Sequence, residues 1–561
     1  MRKKVSCRFF LCSFFIFAPK TKHTKLMKHA SSLFFVLMLS VLATPADAQQ
    51  QDGTVDVAIL CLNDFHGAFV QNPYQDIPGA PSVLQTLDSL KRVYPHHLTV
   101  SAGDNFGGSY FYTATKGQLL PVFFNEAGIR ISAVGNHEFD DGQEKLADKW
   151  AANPLRPHGW DLKYLCANVL DPAGKRPAYM EPFTVEEIRL SPTRTVHVGL
   201  VSLLASSAQE QISASKIKGM TFRGDYTRVL DSLQTVPGFQ QVEKAEIRAL
   251  LMHIGANMKD GQPVWNDKNT EELERINTPL YQGFLAGHSH DPVCGHINES
   301  RKPITQGYWH GNYISVMKFR LDTVSMQVVA VEPSIVPVRA RKRAELTPRA
   351  LHLQQQIDSL LDCTRTKAGT ALGEHVAYVA KNLRHDRAQR YVMSPVARLV
   401  CESYADAYRR AHKDKFVVGV SHFGSIRSGM TKGEITVIDV GEVLPFQNDM
   451  QAYRFTYDEL LHLLTVGRQN LRYGWLQYSN LDVEYDDDGV AVKATYVTPK
   501  GKCRKLKGTD LITVVVDNYM AGGGDGYHDI FFPKNRIDVT LPSATDCFIN
   551  YLRKRKTIGE E

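Results

Sequence analysis

The chain has 561 residues, too many for one hydrophobic core, so at least two domains are expected. Its composition is that of an ordinary globular protein, which excludes collagen-like and disordered classes. The net charge of +7 belongs entirely to residues 1–48, where eight Lys and Arg face the single Asp47. The remainder is neutral, without the basic surplus that binds nucleic acid polymers or membrane surfaces.

Residues 1–48 read as a targeting leader. Lys28-His29 precedes an apolar run from Leu33 to Leu42, and Ala46-Asp47-Ala48 supplies the small-x-small pattern of a cleavage site. That run is too short for a permanent membrane-spanning helix. Met27 heads a leader of normal length and is an alternative start, while Phe9–Phe17 is a rival apolar segment. No cysteine follows the cleavage site, so a lipid anchor is unsupported, and an exported, soluble product is expected. Without Cys7 and Cys12, seven of the nine cysteines remain, an odd and widely spaced set that is no disulfide framework and contains no CxxC pair.

From Val55 to about Pro337, short apolar runs alternate with helical spacing, which predicts an α/β domain over 53–338. The strands are expected at Val55–Leu62, Leu98–Ser101, Ile131–Val134, Tyr164–Asn168, Val196–Leu204, Ala249–Met252 and Gly283–Ala286. Helices are expected at Pro81–Val93, Gly117–Ala127 and Gln143–Asn153, with Pro81 and Pro121 suited to first turns. Thr305–Arg320 and Met326–Pro337 read as closing antiparallel strands. The charged, glycine-free stretch 339–366 reads as a linker helix. A smaller domain over 367–554 follows, with a helix at Ser394–Arg410, a strand at Phe416–Val420 and loops at Phe423–Met430, Leu444–Asp449 and Asn518–Tyr527.

The chemistry gathers where strands end. Asn63-Asp64-Phe65-His66-Gly67, Gly103-Asp104-Asn105, Gly135-Asn136-His137-Glu138-Phe139-Asp140, His253 and Gly287-His288-Ser289-His290 each follow an apolar run. Side chains at such ends point into the crevice where α/β sheets bind ligands. Oxygen and imidazole donors without thiolate suit Mn, Fe, Zn or Co dications. Seven ligands, Asp64, His66, Asp104, Asn136, His253, His288 and His290, exceed one tetrahedral ion and match two ions sharing a carboxylate, an arrangement for phosphoester hydrolysis. Glu138 is expected to point away from the ligands, and His158, His197, His310 and His422 have no partner pattern and are expected to be structural or exposed.

In order and spacing these motifs resemble the calcineurin-like metallophosphoesterase superfamily. Gly424-Ser425-Ile426-Arg427, Val443-Leu444-Pro445-Phe446 and Gly522-Gly523-Gly524-Asp525-Gly526-Tyr527 resemble the C-terminal domain of exported 5′-nucleotidases, and the stretch Gly287–Cys294 is similar to the bacterial UDP-sugar hydrolase/5′-nucleotidase family. The resemblance implies a four-layer αββα domain, a linker helix and a smaller α/β substrate-binding domain. It implies Asp64, His66, Asp104 and His290 on one ion and Asp104, Asn136, His253 and His288 on the other. Metal-bound hydroxide would attack phosphorus, with His137 stabilising the phosphoryl group and Asp140 orienting His137. Phe446 and Tyr519 would sandwich the base, Asn448 and Asp525 contact the nucleoside, and Arg390 and Arg427 hold phosphate.

The implied activity is phosphate removal from nucleoside 5′-monophosphates, with UDP-sugars as further candidates, by a monomer or a larger assembly without a membrane anchor. Related cyclic-nucleotide phosphodiesterase/3′-nucleotidases tend to carry Asn at the position of Asp140, so Asp favours the 5′-nucleotidase reading; an idle nucleotide-binding protein is the third reading, against which all seven ligands stand. Two departures matter. The family's Asn-Gly-Gly-Gly-Ile-Arg is His422-Phe423-Gly424-Ser425-Ile426-Arg427 here, and a third phosphate arginine falls on Asp386, with Arg384 or Arg387 as substitutes. Cys294 lacks the family's partner cysteine and is expected to be free.

Overall fold

The computed structural model describes residues 53–142, 162–212, 214–276, 279–297, 301–386, 388–446 and 448–559. The leader, the expected Gln143–Asn153 helix and His158 lie outside the described residues. Among those described, no helix is long and apolar enough to cross a membrane.

Residues 54–337 form two six-stranded sheets packed face to face. The first runs 328–337, 313–322, 54–62, 97–101, 131–133, 163–165 and is parallel from strand 54–62 to strand 163–165. The second runs 292–297, 302–307, 283–285, 247–253, 194–204, 183–191. Strand Thr54–Leu62 shows why. Val57, Ile59 and Cys61 face the other sheet and meet Val198, Leu200, Ala249 and Leu251, while Ala58, Leu60 and Leu62 face helices Ala80–Val93 and Leu120–Ala127. From Val57 to Leu62 both faces are buried and every position is apolar, so this part of the strand reads as a continuous hydrophobic run. Pro81 and Pro121 sit in the first turns, where a missing N–H costs nothing.

The expected strand Thr305–Arg320 is divided. Lys302–Gly307 belongs to the second sheet and Tyr313–Asp322 to the first, because Tyr308, His310 and Gly311 take left-handed φ of 66°, 52° and 73° and turn the chain between them. Met326–Pro337 pairs antiparallel with Tyr313–Asp322 as expected, from Val328 on.

Helix Pro348–Cys363, capped by Thr347, occupies the middle of the 339–366 stretch and packs on helix Ala80–Val93, where Arg349 pairs with Asp88 and Glu126. Beyond it a five-stranded sheet, 477–478, 417–421, 511–517, 450–456, 536–537, carries helix Pro395–Ala411. Ser394 caps that helix through the Ala397 N–H.

This second half docks on the first. Glu442 accepts hydrogen bonds from the Tyr110 and Phe111 N–H groups, Gly441 lies against the Tyr110 ring, and Gln75 donates to the Arg427 carbonyl at 2.6 Å. Cys294 is unbridged, as are the six other cysteines of residues 53–559.

Candidate metal centre and substrate platform

The five ligand loops meet at the carboxyl ends of strands 54–62, 97–101, 131–133, 247–253 and 283–285. Ligand atoms of Asp64, His66, Asp104 and His290 lie within 4.8 Å of one another, as do those of Asp104, His253 and His288. Asp104 belongs to both groups. Asn136 joins the second through Oδ1, 3.3 Å from His253 Nε2 and 3.1 Å from His288 Nδ1.

Backbone geometry makes this convergence possible. Asp64, His66, Asp104, His288 and His290 all adopt left-handed φ between 48° and 86°, unusual for residues with a Cβ. Each turn aims its side chain back over the strand end, and such strain persists only where surrounding contacts over-determine it. Here the Asp64 N–H donates to the Gly103 carbonyl and the His66 N–H to the Asp104 carbonyl, lacing two loops together. Gly135 is required for a different reason, since a Cβ there would lie 2.2 Å from Asp104 Oδ1.

Glu138 completes the scaffold. Its carboxylate accepts N–H groups of Asp104, Asn105 and Gly135, and the Asn105 amide. It stands outside both ligand groups, as expected, but for another reason: the loop is not extended. His137–Phe139 is a 3₁₀ turn that buries Glu138 beneath the crevice. Burial, with Asp104 adding repulsion, pushes its pKa up to about 7.

The donor set fits divalent cations. His253 Nδ1 and His66 Nδ1 face the carbonyls of Ala102 at 2.8 Å and Phe106 at 3.3 Å, which hold their protons and turn Nε2 toward the crevice. Burial disfavours charge on His253, yet Asp104 and Asp64 outweigh it and lift its pKa to about 10. The Asp104 and Asp64 carboxylates that favour positive charge there also favour a dication. His288 goes the other way, to about 4, through burial and the neighbouring His253.

His137 lies at the mouth, its ring 5.0 Å from that of His66 and its N–H donating to Asp104 Oδ1 at 2.9 Å. Its Nδ1 meets Asp140 Oδ2 at 2.9 Å. Burial lowers its pKa, but Asp140 and Asp104 more than compensate and raise it to about 9.

The platform residues sit on the second half. Phe446 and Tyr519 are each 48% exposed, large aromatic faces left open to solvent. The Arg427 guanidinium stands 5.7 Å over the Phe446 ring, and Asn448 lines a small cleft beside Phe446 with Asp517 and Ser425. Arg427 also lies near enough to His310 to oppose its protonation, which puts this arginine at the edge of the histidine cluster. Arg390 is placed differently: it is exposed, and its guanidinium donates to the Arg472 carbonyl at 3.4 Å. Arg384 is exposed, and Arg387 lies outside the described residues.

Two histidines expected to be structural or exposed are buried beside candidate site residues. His310 is buried, its N–H donates to the Asp64 carbonyl at 2.7 Å, and its ring meets that of His66 edge-on at 5.7 Å. His422 is buried against Asp525, with Nδ1 2.7 Å from Oδ2. Neither stands in a motif with a recognisable partner; for His422 the available signal was its substitution of an asparagine.

Comparison with known proteins adds an independent view. Residues 57–292 match the family model for calcineurin-like phosphoesterase, and residues 375–531 match that for the 5′-nucleotidase C-terminal domain. The chain is 24% identical over 546 residues to a 5′-nucleotidase of Vibrio cholerae, covering 91% of this chain and 92% of that one. It is 25% identical over 549 residues to Protein UshA of Escherichia coli, covering 90% and 92%. The solved 5′-nucleotidase precursor from Thermus thermophilus superposes with a TM-score of 0.64 at 21% identity, covering 90% of this chain and 97% of that one, and so shares the two-domain fold.

Proposed function

This chain belongs to the calcineurin-like phosphoesterases that carry a 5′-nucleotidase C-terminal domain, and from that premise we propose that it removes phosphate from nucleoside 5′-monophosphates after export. Metal-dependent phosphoester hydrolysis follows from the family. The observation that carries the finer reading is the pair of ligand groups sharing Asp104, with Arg427 at the edge of their histidine cluster and over the exposed Phe446 ring.

In this reading Asp64, His66, Asp104 and His290 would hold one ion, and Asp104, Asn136, His253 and His288 would hold the other. When bound, such ions would supply Lewis acidity that lowers the pKa of water and neutralises phosphoryl charge. The chain's own groups do the rest. His137, kept cationic by Asp140, donates from Nε2 to a phosphoryl oxygen as charge develops. Arg427 presents a planar donor pair to the phosphate. Phe446 and Tyr519 stack on the base, which tolerates any base because each has a π-face. Export rests on the leader pattern of residues 1–48 and on relatives such as the Listeria monocytogenes cell wall protein Lmo0130, 24% identical over 605 residues.

The test is phosphate release from AMP, UMP, 3′-AMP, 2′,3′-cyclic AMP and UDP-glucose, with Mn²⁺ and then with EDTA. Metal-dependent release from the 5′-monophosphates, lost in His137→Ala, supports the reading. Release confined to cyclic or 3′-substrates would overturn the substrate assignment and leave the metal centre standing.

A further inference from the structure

The nucleoside platform contains a hydrogen-bonded set that joins two distant loops. His422 follows strand Val417–Ser421, and Asp525 lies in the glycine turn 522–526. His422 Nδ1 meets Asp525 Oδ2 at 2.7 Å, and the Tyr519 hydroxyl donates to Asp525 Oδ1 at 3.0 Å. Each carboxylate oxygen therefore has its own protein donor. The carboxylate is acceptor-only, so the His422 proton in this contact sits on Nδ1.

The surroundings hold the set in place. The side chain of His422 is 7% exposed, and its ring lies 5.0 Å from that of Tyr519. Asp525 takes a left-handed φ of 51°, and Asn470 Nδ2 donates to its carbonyl at 2.8 Å. Gly424 makes room: a Cβ there would fall 2.8 Å from Asp525 Oδ2 and 3.0 Å from His422 Nδ1. Tyr519 keeps its outer face open while its hydroxyl is tethered. Two side chains that would otherwise rotate freely at a solvent-exposed platform are thus fixed relative to each other. A tether of that kind reduces the ordering cost of binding a ligand against them.

We propose that His422 is a positioning residue for the nucleoside: by holding Asp525, and through it the Tyr519 ring, it presents a sugar-hydroxyl acceptor and a stacking face as one preassembled surface. A carboxylate accepts up to four hydrogen bonds, so the His422 and Tyr519 donors are compatible with a ribose hydroxyl as a further donor. This rests on the nucleotide reading above. An asparagine offers Nδ2 at the same bond distance from Cα as imidazole Nδ1, so His422→Asn conserves the link to Asp525, whereas His422→Leu keeps bulk and removes it.

The experiment is steady-state kinetics on AMP for the full-length enzyme and these variants, with p-nitrophenyl phosphate as a substrate lacking a nucleoside. His422→Leu is expected to raise KM for AMP about tenfold with kcat within about twofold, the cost of one charge-assisted hydrogen bond. His422→Asn is expected to restore KM to within about threefold of the parent. Should His422→Leu fail to fold, Tyr519→Phe removes one oxygen from the same set and is expected to raise KM about threefold. Unchanged KM in His422→Leu, or in Tyr519→Phe where the first does not fold, overturns the inference. A failure of His422→Asn to recover KM overturns it too, because the imidazole would then act other than through Asp525. A parent enzyme that hydrolyses p-nitrophenyl phosphate and not AMP would instead sink the nucleotide reading itself.

Discussion

At the scale of single residues, the proposed chemistry depends on the charge of His137. Burial works against its proton, and the nearby Asp140 and Asp104 carboxylates hold it, leaving the pKa raised to about 9. A group whose folded pKa is raised keeps its proton at neutral pH and loses it only as pH climbs through that value. Removing the Asp140 charge therefore moves the loss toward lower pH. The Asp140→Asn variant should show an alkaline limb of kcat displaced by about one pH unit to the acid side, with neutral activity reduced about 10- to 100-fold. A pH–rate profile measures this, and an undisplaced limb would mean that His137 does not need its proton. Asp104 is the other decisive residue, because it belongs to both ligand groups. Asp104→Asn should remove most of the activity, and metal analysis of the purified variant should show fewer than two ions bound per chain if the sharing is real.

At the scale of elements, the scaffold beneath the ligands is Glu138. It ties the loop after strand 97–101 to the loop after strand 131–133 through three backbone N–H groups. Glu138→Gln replaces one acceptor oxygen by an NH₂ that faces a backbone donor. That buried mismatch should cost about 2 kcal/mol of stability and weaken metal binding about 10- to 100-fold, read by thermal unfolding and by metal titration. Normal affinity in this variant would show that the loops hold their geometry without the anchor. The broken strand at 308–312 belongs to the same scale. Gly311 and Asn312 are turn-forming types, but the left-handed Tyr308 and His310 beside them are not, so the break is only partly marked in the sequence.

At the scale of the whole molecule, Glu442 sits where the two halves dock. Burial raises its pKa to about 7 even though the Tyr110 and Phe111 N–H groups favour its anion. A raised carboxyl pKa means that the folded chain holds a proton the unfolded chain has lost, so stability falls as pH rises from about 4.5 to about 7. Unfolding should show that decline, amounting to about 3 kcal/mol, and Glu442→Gln should flatten it. A wild-type curve already flat between pH 4.5 and 7 would remove Glu442 from the account. Chelation acts on the whole fold as well. Ions that bind the native state alone stabilise it by mass action, so EDTA should lower the unfolding temperature by several degrees, and unchanged melting would argue against resident ions.

Residue order alone was enough to read the α/β layering of residues 54–337 and the seven candidate ligands. Both are local facts: apolar runs mark strands, and polar residues beside glycine mark their ends. The candidate platform residues were legible too, through resemblance to a known family rather than through spacing. The grouping of the ligands, with Asp104 in both groups, was implied by the same resemblance, and only the packed fold brings these residues, spread from 64 to 290, within reach of one another. Only there does Glu138 change from a non-ligand into the anchor of two loops, and His310 and His422 from unassigned histidines into neighbours of Asp64 and Asp525. Residue type and spacing govern what a segment forms, while a contact between loops 103 residues apart exists only once the sheets have packed and brought their ends together.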